Sequence, residues 1–297
     1  MGDLIQYLFN GLVVGSIFAI AAVGISLLYS VLRLVNFAAG DFLTLGAFIT
    51  YFLSVTLELN FFFSMIVSML AGMGISWFLE LVLWRNLRRN KAGTLALFLV
   101  ATGVALMLRP IIQFLFGTET RKFNVDIFKT YDFFGARIAH TQLLVLIFAS
   151  ASIMTIALFI SKARIGKDMR AYANNPGLAS ASGINVDRVV LATWLISGAL
   201  GSLAGVFQGL VQGQFNNAMG ESLLLSFFAA VVLGTIGDAY GALVGGMLLG
   251  LFMELSQLSI FFGGVPSNYK PVVAFATLVL VLLFKPEGLF GYRARKV

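Results

Sequence analysis

The chain has 297 residues, 59% of them hydrophobic and only 11% charged, with a mean hydropathy of +0.95, more apolar side chain than a water-soluble core can absorb. Its formal charge of +7 points to membrane topology rather than to nucleic acid, because membrane proteins concentrate Lys and Arg in the loops on one side. The absence of cysteine and the single histidine, His140, exclude disulfides, thiolate metal sites, cysteine nucleophiles, a typical zinc centre and a serine-histidine triad.

Nine segments reach or approach the roughly 20 apolar residues that a helical bilayer crossing needs. The first, 4–30, is expected to stay in the mature protein: Asp3 precedes it with no Lys or Arg, and its apolar run exceeds a signal-peptide core. At the head of the second, 36–57, stand Asn36, Gly40 and Asp41, residues that either cap a helix or mark an unwound element beside a permeation path. The third, 61–84, opens on three phenylalanines and carries Glu80 at its far end. The fourth, 92–116, contains Arg109 followed by Pro110. A guanidinium near the bilayer centre costs roughly 2.5–3.5 kcal/mol, so Arg109 faces protein or a water-filled cavity, or snorkels to the outer interface.

The fifth and sixth segments, 141–161 and 189–212, flank a polar loop at 162–188. Within it, small apolar residues predict a short helix, for which Asn175-Pro176-Gly177 supplies a turn or start. Gln208 and Gln212 are four apart and share one face of the sixth segment, where amides serve either as interhelical contacts or as substrate ligands. The short seventh segment, 222–237, ends in Gly234-Thr235-Ile236-Gly237-Asp238, the signature of a half-helix or re-entrant element. In the eighth, 239–262, Glu254 is a carboxylate in mid-span that must find a partner or line the path. The ninth, 270–284, is short. The expected fold is an all-α, polytopic transmembrane bundle of eight or nine spans, one permease domain over 1–297 with no separable soluble part.

Fourteen of the basic residues fall on one side: Arg33, the cluster Arg85 to Lys91, the five of 162–188, and Lys285 with Arg293, Arg295 and Lys296. Five fall on the other, namely Arg121, Lys122, Lys129, Arg137 and Lys270. The richer side is expected to be cytoplasmic, which puts the N-terminus outside and the C-terminus inside. Glycines recur every four residues at Gly201, Gly205, Gly209 and Gly213, and again at Gly237, Gly241 and Gly245, at Gly246 and Gly250, and at Gly11 and Gly15. Such ridges predict close helix–helix packing.

Five stretches together resemble permease subunits of branched-chain amino-acid ABC transporters of the high-affinity leucine/isoleucine/valine uptake type. They are LLYSVLRLVNFAAGDFLTLGAF at 27–48, ELVLWRNLRR at 80–89, MRAYANNPGLASASGINVDRV at 169–189, FFAAVVLGTIGDAYGALVGGMLLGLFMEL at 227–255 and YKPVVAFATLVLVLLFKPEGLFG at 269–291. The resemblance implies an importer subunit of a bacterial or archaeal inner membrane. Its expected partners are a second, similar permease, two cytoplasmic ATP-binding subunits and an extracytoplasmic binding protein. ATP is then used by those partners, and no cofactor is expected on this chain. It also implies that 169–189 is the loop that docks on the ATPase, with Arg170, Ala171, Ala179, Gly183 and Arg188 on the motif positions.

The substrate-pathway candidates are Asn36, Asp41, Gln208, Gln212 and Glu254. Permeases for urea, short amides and nucleosides share much of this architecture and remain open as alternatives. A stand-alone secondary transporter would need an intramembrane ion relay, for which only Arg109 and Glu254 are deep enough. An intramembrane enzyme is disfavoured, since the chain has no GxSxG elbow, HExxH helix or phosphate-binding Walker loop.

Overall fold

A computed structural model describes residues 2–125, 129–133, 136–258 and 264–291. Arg293, Arg295 and Lys296 of the predicted basic cluster, and 259–262 of the eighth predicted segment, lie outside the described residues.

All nine predicted segments form helices. They are α1 (Gly2–Leu32), α2 (Ala39–Tyr51), α3 (Phe61–Leu79), α5 (Thr94–Phe116), α6 (His140–Lys162), α9 (Val186–Gln212), α10 (Met219–Gly234), α11 (Ala239–Leu255) and α12 (Lys270–Phe284). α2 runs on through a π-turn at Phe52–Thr56, and α3 through another at Glu80–Trp84 into the short α4 (Arg85–Arg89). The polar loop folds as α7 (Arg164–Asn174) and α8 (Pro176–Ala181). The polar segment between α5 and α6 holds a two-stranded antiparallel hairpin, β1 (Thr130–Phe133) with β2 (Ala136–Ala139).

Among the described residues, seven helices are long and apolar enough to cross a membrane, or up to eight spans if the bent pair α10–α11 is one of them. That pair bends by 119° at the glycine-containing break predicted from sequence. Thr235 and Gly237 carry φ of 128° and 87° there, and Asp238 caps α11 by accepting the Tyr240 N–H at 3.1 Å. The two arms then close on each other, Gly234 against Gly241 and Gly245 against Ala230.

The glycine ridges are the packing surfaces. α11 lies antiparallel along α1, with Leu251 over Gly11, Met247 and Gly250 over Gly15, and Gly246 over Ala19. α9 is the central strut. Its Gly198 and Ser202 interlock with Gly72 and Ser76 of α3, and its Gly205 seats against the Leu43 backbone of α2. Gly213, the last of that series, is instead the left-handed cap that ends α9, at φ 74°. Close backbone approach of this kind supplies the van der Waals attraction that holds helices together where lipid removes the hydrophobic drive. The phenylalanines divide between two roles: Phe18, Phe48, Phe207 and Phe227 are fully buried, whereas Phe63, Phe114 and Phe284 are exposed.

The two ends of the bundle are distinct. At one, Arg33 donates to the Ala173 carbonyl of α7, Gly237 lies beside Tyr29, Ser30 and Arg33, and the Leu289 N–H reaches Leu233. At the other, the Gln6 side chain accepts the Arg137 N–H, Gln142 donates to Asn10, and Glu254 lies close to Gly11. The first helix therefore begins, and the last described residues end, at opposite ends of the molecule.

Candidate functional site

Three polar constellations stand out from the apolar bundle. The first is the α7–α8 pair, which projects from the end that carries the basic loops. α7 is amphipathic: Gly166 and Met169 are buried under it while Arg170 and Ala171 face out. The Arg170 guanidinium donates back to the Ser161 carbonyl at 3.2 Å. Asn175 breaks the chain between the helices and caps α8 by accepting the Leu178 N–H at 3.0 Å, with Pro176 at the first helical position. Gly183 ends α8. At φ 83° it donates to Ser180, and the Ile184 N–H reaches back to Ala179, which together make a Schellman cap. Asn185 then caps α9 through the Arg188 N–H at 3.1 Å. Of the five motif residues, Ala179 is buried and the other four are exposed, beside a Leu178 that is 65% exposed.

This loop is tied to the end of α3. Glu80 lies buried on the π-turn and takes both Nη atoms of Arg88 at 2.9 and 2.6 Å, a bidentate pair. Asp187 of α9 approaches Arg85 at 3.4 Å and Arg88 at 3.7 Å. A cleft of about 290 Å³ opens between Glu80, Arg85, Asp187 and Arg188. In the sequence Glu80 stands at the far end of the third segment, with Arg85 the first basic residue after it. The bidentate partner is one turn further on, because the π-turn rotates the chain relative to a regular helix.

The second constellation is inside the bundle. Asn36 and Asp41 are both 2% exposed. Asn36 is not the cap of α2; its Oδ1 accepts the Ala38 N–H at 3.1 Å in a tight turn ahead of the helix. In the first turn of α2, Asp41 receives Arg109 Nε at 3.4 Å, and Arg109 Nη1 lies 2.6 Å from Glu221 on α10. Arg109 thus faces protein rather than snorkelling to the interface. The N-terminal turns of α2 and α10 meet here: Gly40 and Gly220 touch backbone to backbone, and the Thr44 hydroxyl accepts the Gly220 N–H at 3.0 Å. Glu221 was not among the sequence candidates. It stands one residue ahead of the seventh predicted segment, where it looks like an ordinary carboxylate at a helix start, and its partner is 112 residues away in the chain.

The third constellation contains Glu254, which is buried and pairs with Lys270 Nζ at 2.5 Å and Gln257 at 2.8 Å. Gln208 is buried with an Oε1 that has no hydrogen-bond partner among the described residues, and Gln212 is exposed near the end of α9. The structure therefore joins Asp41 to Arg109 and Glu221, and places Glu254 and Gln212 elsewhere.

The family model for the branched-chain amino acid transport system permease component matches residues 7–282. The chain belongs to that family. The high-affinity branched-chain amino acid transport system permease protein LivH of Salmonella typhimurium is 30% identical to the permease, over 97% of this chain and 95% of the relative. The corresponding permease protein BraD of Pseudomonas aeruginosa is also 30% identical, over the same shares. A solved structure, PsaBC from Streptococcus pneumoniae in complex with Fab, shares the fold with a TM-score of 0.51 at 15% identity, over 96% of this chain and 94% of its own. The permease is accordingly a multi-pass membrane protein and a transport subunit of a branched-chain amino-acid system, not an enzyme.

Proposed function

We propose that the chain is the membrane-spanning permease of an ATP-driven importer that moves branched-chain amino acids inward by alternating access. Two cytoplasmic ATP-binding subunits hydrolyse the ATP, a second, homologous permease completes the channel, and an extracytoplasmic binding protein delivers the substrate. The end bearing α7–α8 faces the cytoplasm, with the N-terminus outside and the C-terminus inside, in accord with the bias of basic residues toward that end.

The observation that carries this reading is the exposed pair α7–α8. A short amphipathic helix with outward arginines, followed by a rigidly capped turn of small residues, suits a groove on a partner whose acidic rim takes the charges. Arg33 connects α7 to the end of α1, and Asp187 at the start of α9, which follows α8 directly, approaches Arg85 and Arg88 beyond α3, so force on the handle reaches α1 and α9 and, through α9, the end of α3. The test is uptake by proteoliposomes holding the whole complex. Leucine should accumulate only when the ATP-binding subunits have ATP, isoleucine and valine should compete, and urea and nucleosides should not. Gradient-driven leucine flux through this chain alone would overturn the reading.

A further inference from the structure

The cluster of Arg109 with Asp41 and Glu221 is built asymmetrically. Asp41 is 2% exposed and holds Arg109 from beneath, through Nε. Glu221 is 54% exposed and meets the outer face of the guanidinium through Nη1, while Arg109 itself keeps 27% of its side chain open. The cluster therefore has one buried anion, one partly open cation and one exposed anion. Arg109 lies seven residues from the Phe116 end of α5, about 10 Å along the axis, so these charges are inside the membrane-spanning part of the bundle. A half-exposed carboxylate at that depth cannot face hydrocarbon; the face it shares with Arg109 must border water or a polar occupant.

We propose that Arg109 and Glu221 form a recognition site for the zwitterionic head of an α-amino acid, with Asp41 as the positioning residue beneath Arg109. The α-carboxylate takes the open edge of the guanidinium, in the place Glu221 occupies in this structure. Glu221 swings out to accept the α-ammonium. The order of charges then alternates, from Asp41 through Arg109, substrate carboxylate and substrate ammonium to Glu221, and no charge is left unpaired in the low dielectric. Exposed apolar side chains stand one turn away on each flank, Leu106 on α5 and Leu225 on α10, so a branched aliphatic side chain has a surface to lie on. Amines or carboxylic acids that lack one half of the zwitterion leave Arg109 or Glu221 without its counter-charge and bind less well. This inference rests on the importer reading above and adds to it the residues that contact substrate.

The chain has no cysteine, so a Leu225→Cys substitution places a single reporter thiol in this subunit, one turn from Glu221. In the purified full complex, its labelling by a membrane-impermeant methanethiosulfonate is read by mass spectrometry of this chain. Leucine should slow labelling, and 3-methylbutan-1-amine and 4-methylpentanoate, each lacking one charge, should need roughly tenfold more for the same protection. Adding Arg109→Gln should bring leucine down to the level of the amine, and adding Glu221→Gln should bring it down to the level of the acid. A purely structural ion pair would instead change all three ligands together, and that outcome overturns the site. So does a lack of protection in a complex whose leucine uptake is intact, which leaves the importer reading standing. A parental complex that fails to move leucine removes both.

Discussion

Gly205→Ala should prevent the bundle from assembling. A Cβ at Gly205 would fall on the carbonyl oxygen of Leu43 and lie 2.8 Å from its Cα, and backbone cannot turn aside as a side chain can. The expected cost is about 3 kcal/mol or more, at the upper end of overpacking penalties, and well above the ~1 kcal/mol that alanine gains over glycine in helix propensity. In detergent, size-exclusion chromatography with thermal challenge should show the loss of the monodisperse peak. Neighbouring positions provide a graded series. Gly201→Ala, whose nearest neighbour is the Phe42 Cβ at 3.3 Å, should be mildly affected, and Gly74→Ala, with nothing within 4 Å, should be silent. Equal loss at Gly74 would mean that helix packing is not what the glycines serve.

Gly183→Val should separate ATP hydrolysis from uptake. Nothing lies within 4 Å of a Cβ there, so the substitution creates no clash; its effect is conformational. At φ 83° a β-branched residue is strained by roughly 1–3 kcal/mol, enough to unwind the cap that ends α8 and to loosen the handle from α9. The expected result is normal membrane insertion and retained ATP hydrolysis, with leucine uptake lowered about tenfold, the change in coupling that ~1.4 kcal/mol produces. Gly183→Asn, which tolerates left-handed backbone, should keep most of the uptake. If the valine variant transports normally, the role given to α8 is wrong.

The features legible in the sequence were those written in local patterns. Apolar run lengths gave all nine helices, the 234–238 break gave the bend, and the four-residue glycine spacing gave the faces that pack closely, though not their partners, because each depends on residues within one or two turns. The start of α8 at Asn175-Pro176-Gly177 follows from the same short-range chemistry, whereas its end at Gly183 shows only in the fold. What the sequence withheld is long-range pairing. Arg109 reads alone as either snorkelling or buried, and only the fold brings it to Asp41 and Glu221, which lie on α2 and α10. Likewise Glu254 looks like an isolated mid-span carboxylate until Lys270, sixteen residues on, closes over it. The π-turns at Phe52–Thr56 and Glu80–Trp84 have no composition signal of their own; the second turns Glu80 to Arg88 and sets Trp84 against Trp194, stacked at 5.3 Å. The β1–β2 hairpin was equally unannounced, being four residues a side in a polar loop.

The central claim is that α7–α8 is a handle moved by a separate ATP-driven subunit on the cytoplasmic face. It is tested most directly by placing a photoactivatable cross-linker at Leu178, 65% exposed at the tip of α8, in the intact complex. The account predicts cross-links to the ATP-binding subunit and a yield that changes when ATP binds. Cross-links confined to the extracytoplasmic binding protein, or labelling of Leu178 from outside sealed cells, would contradict it.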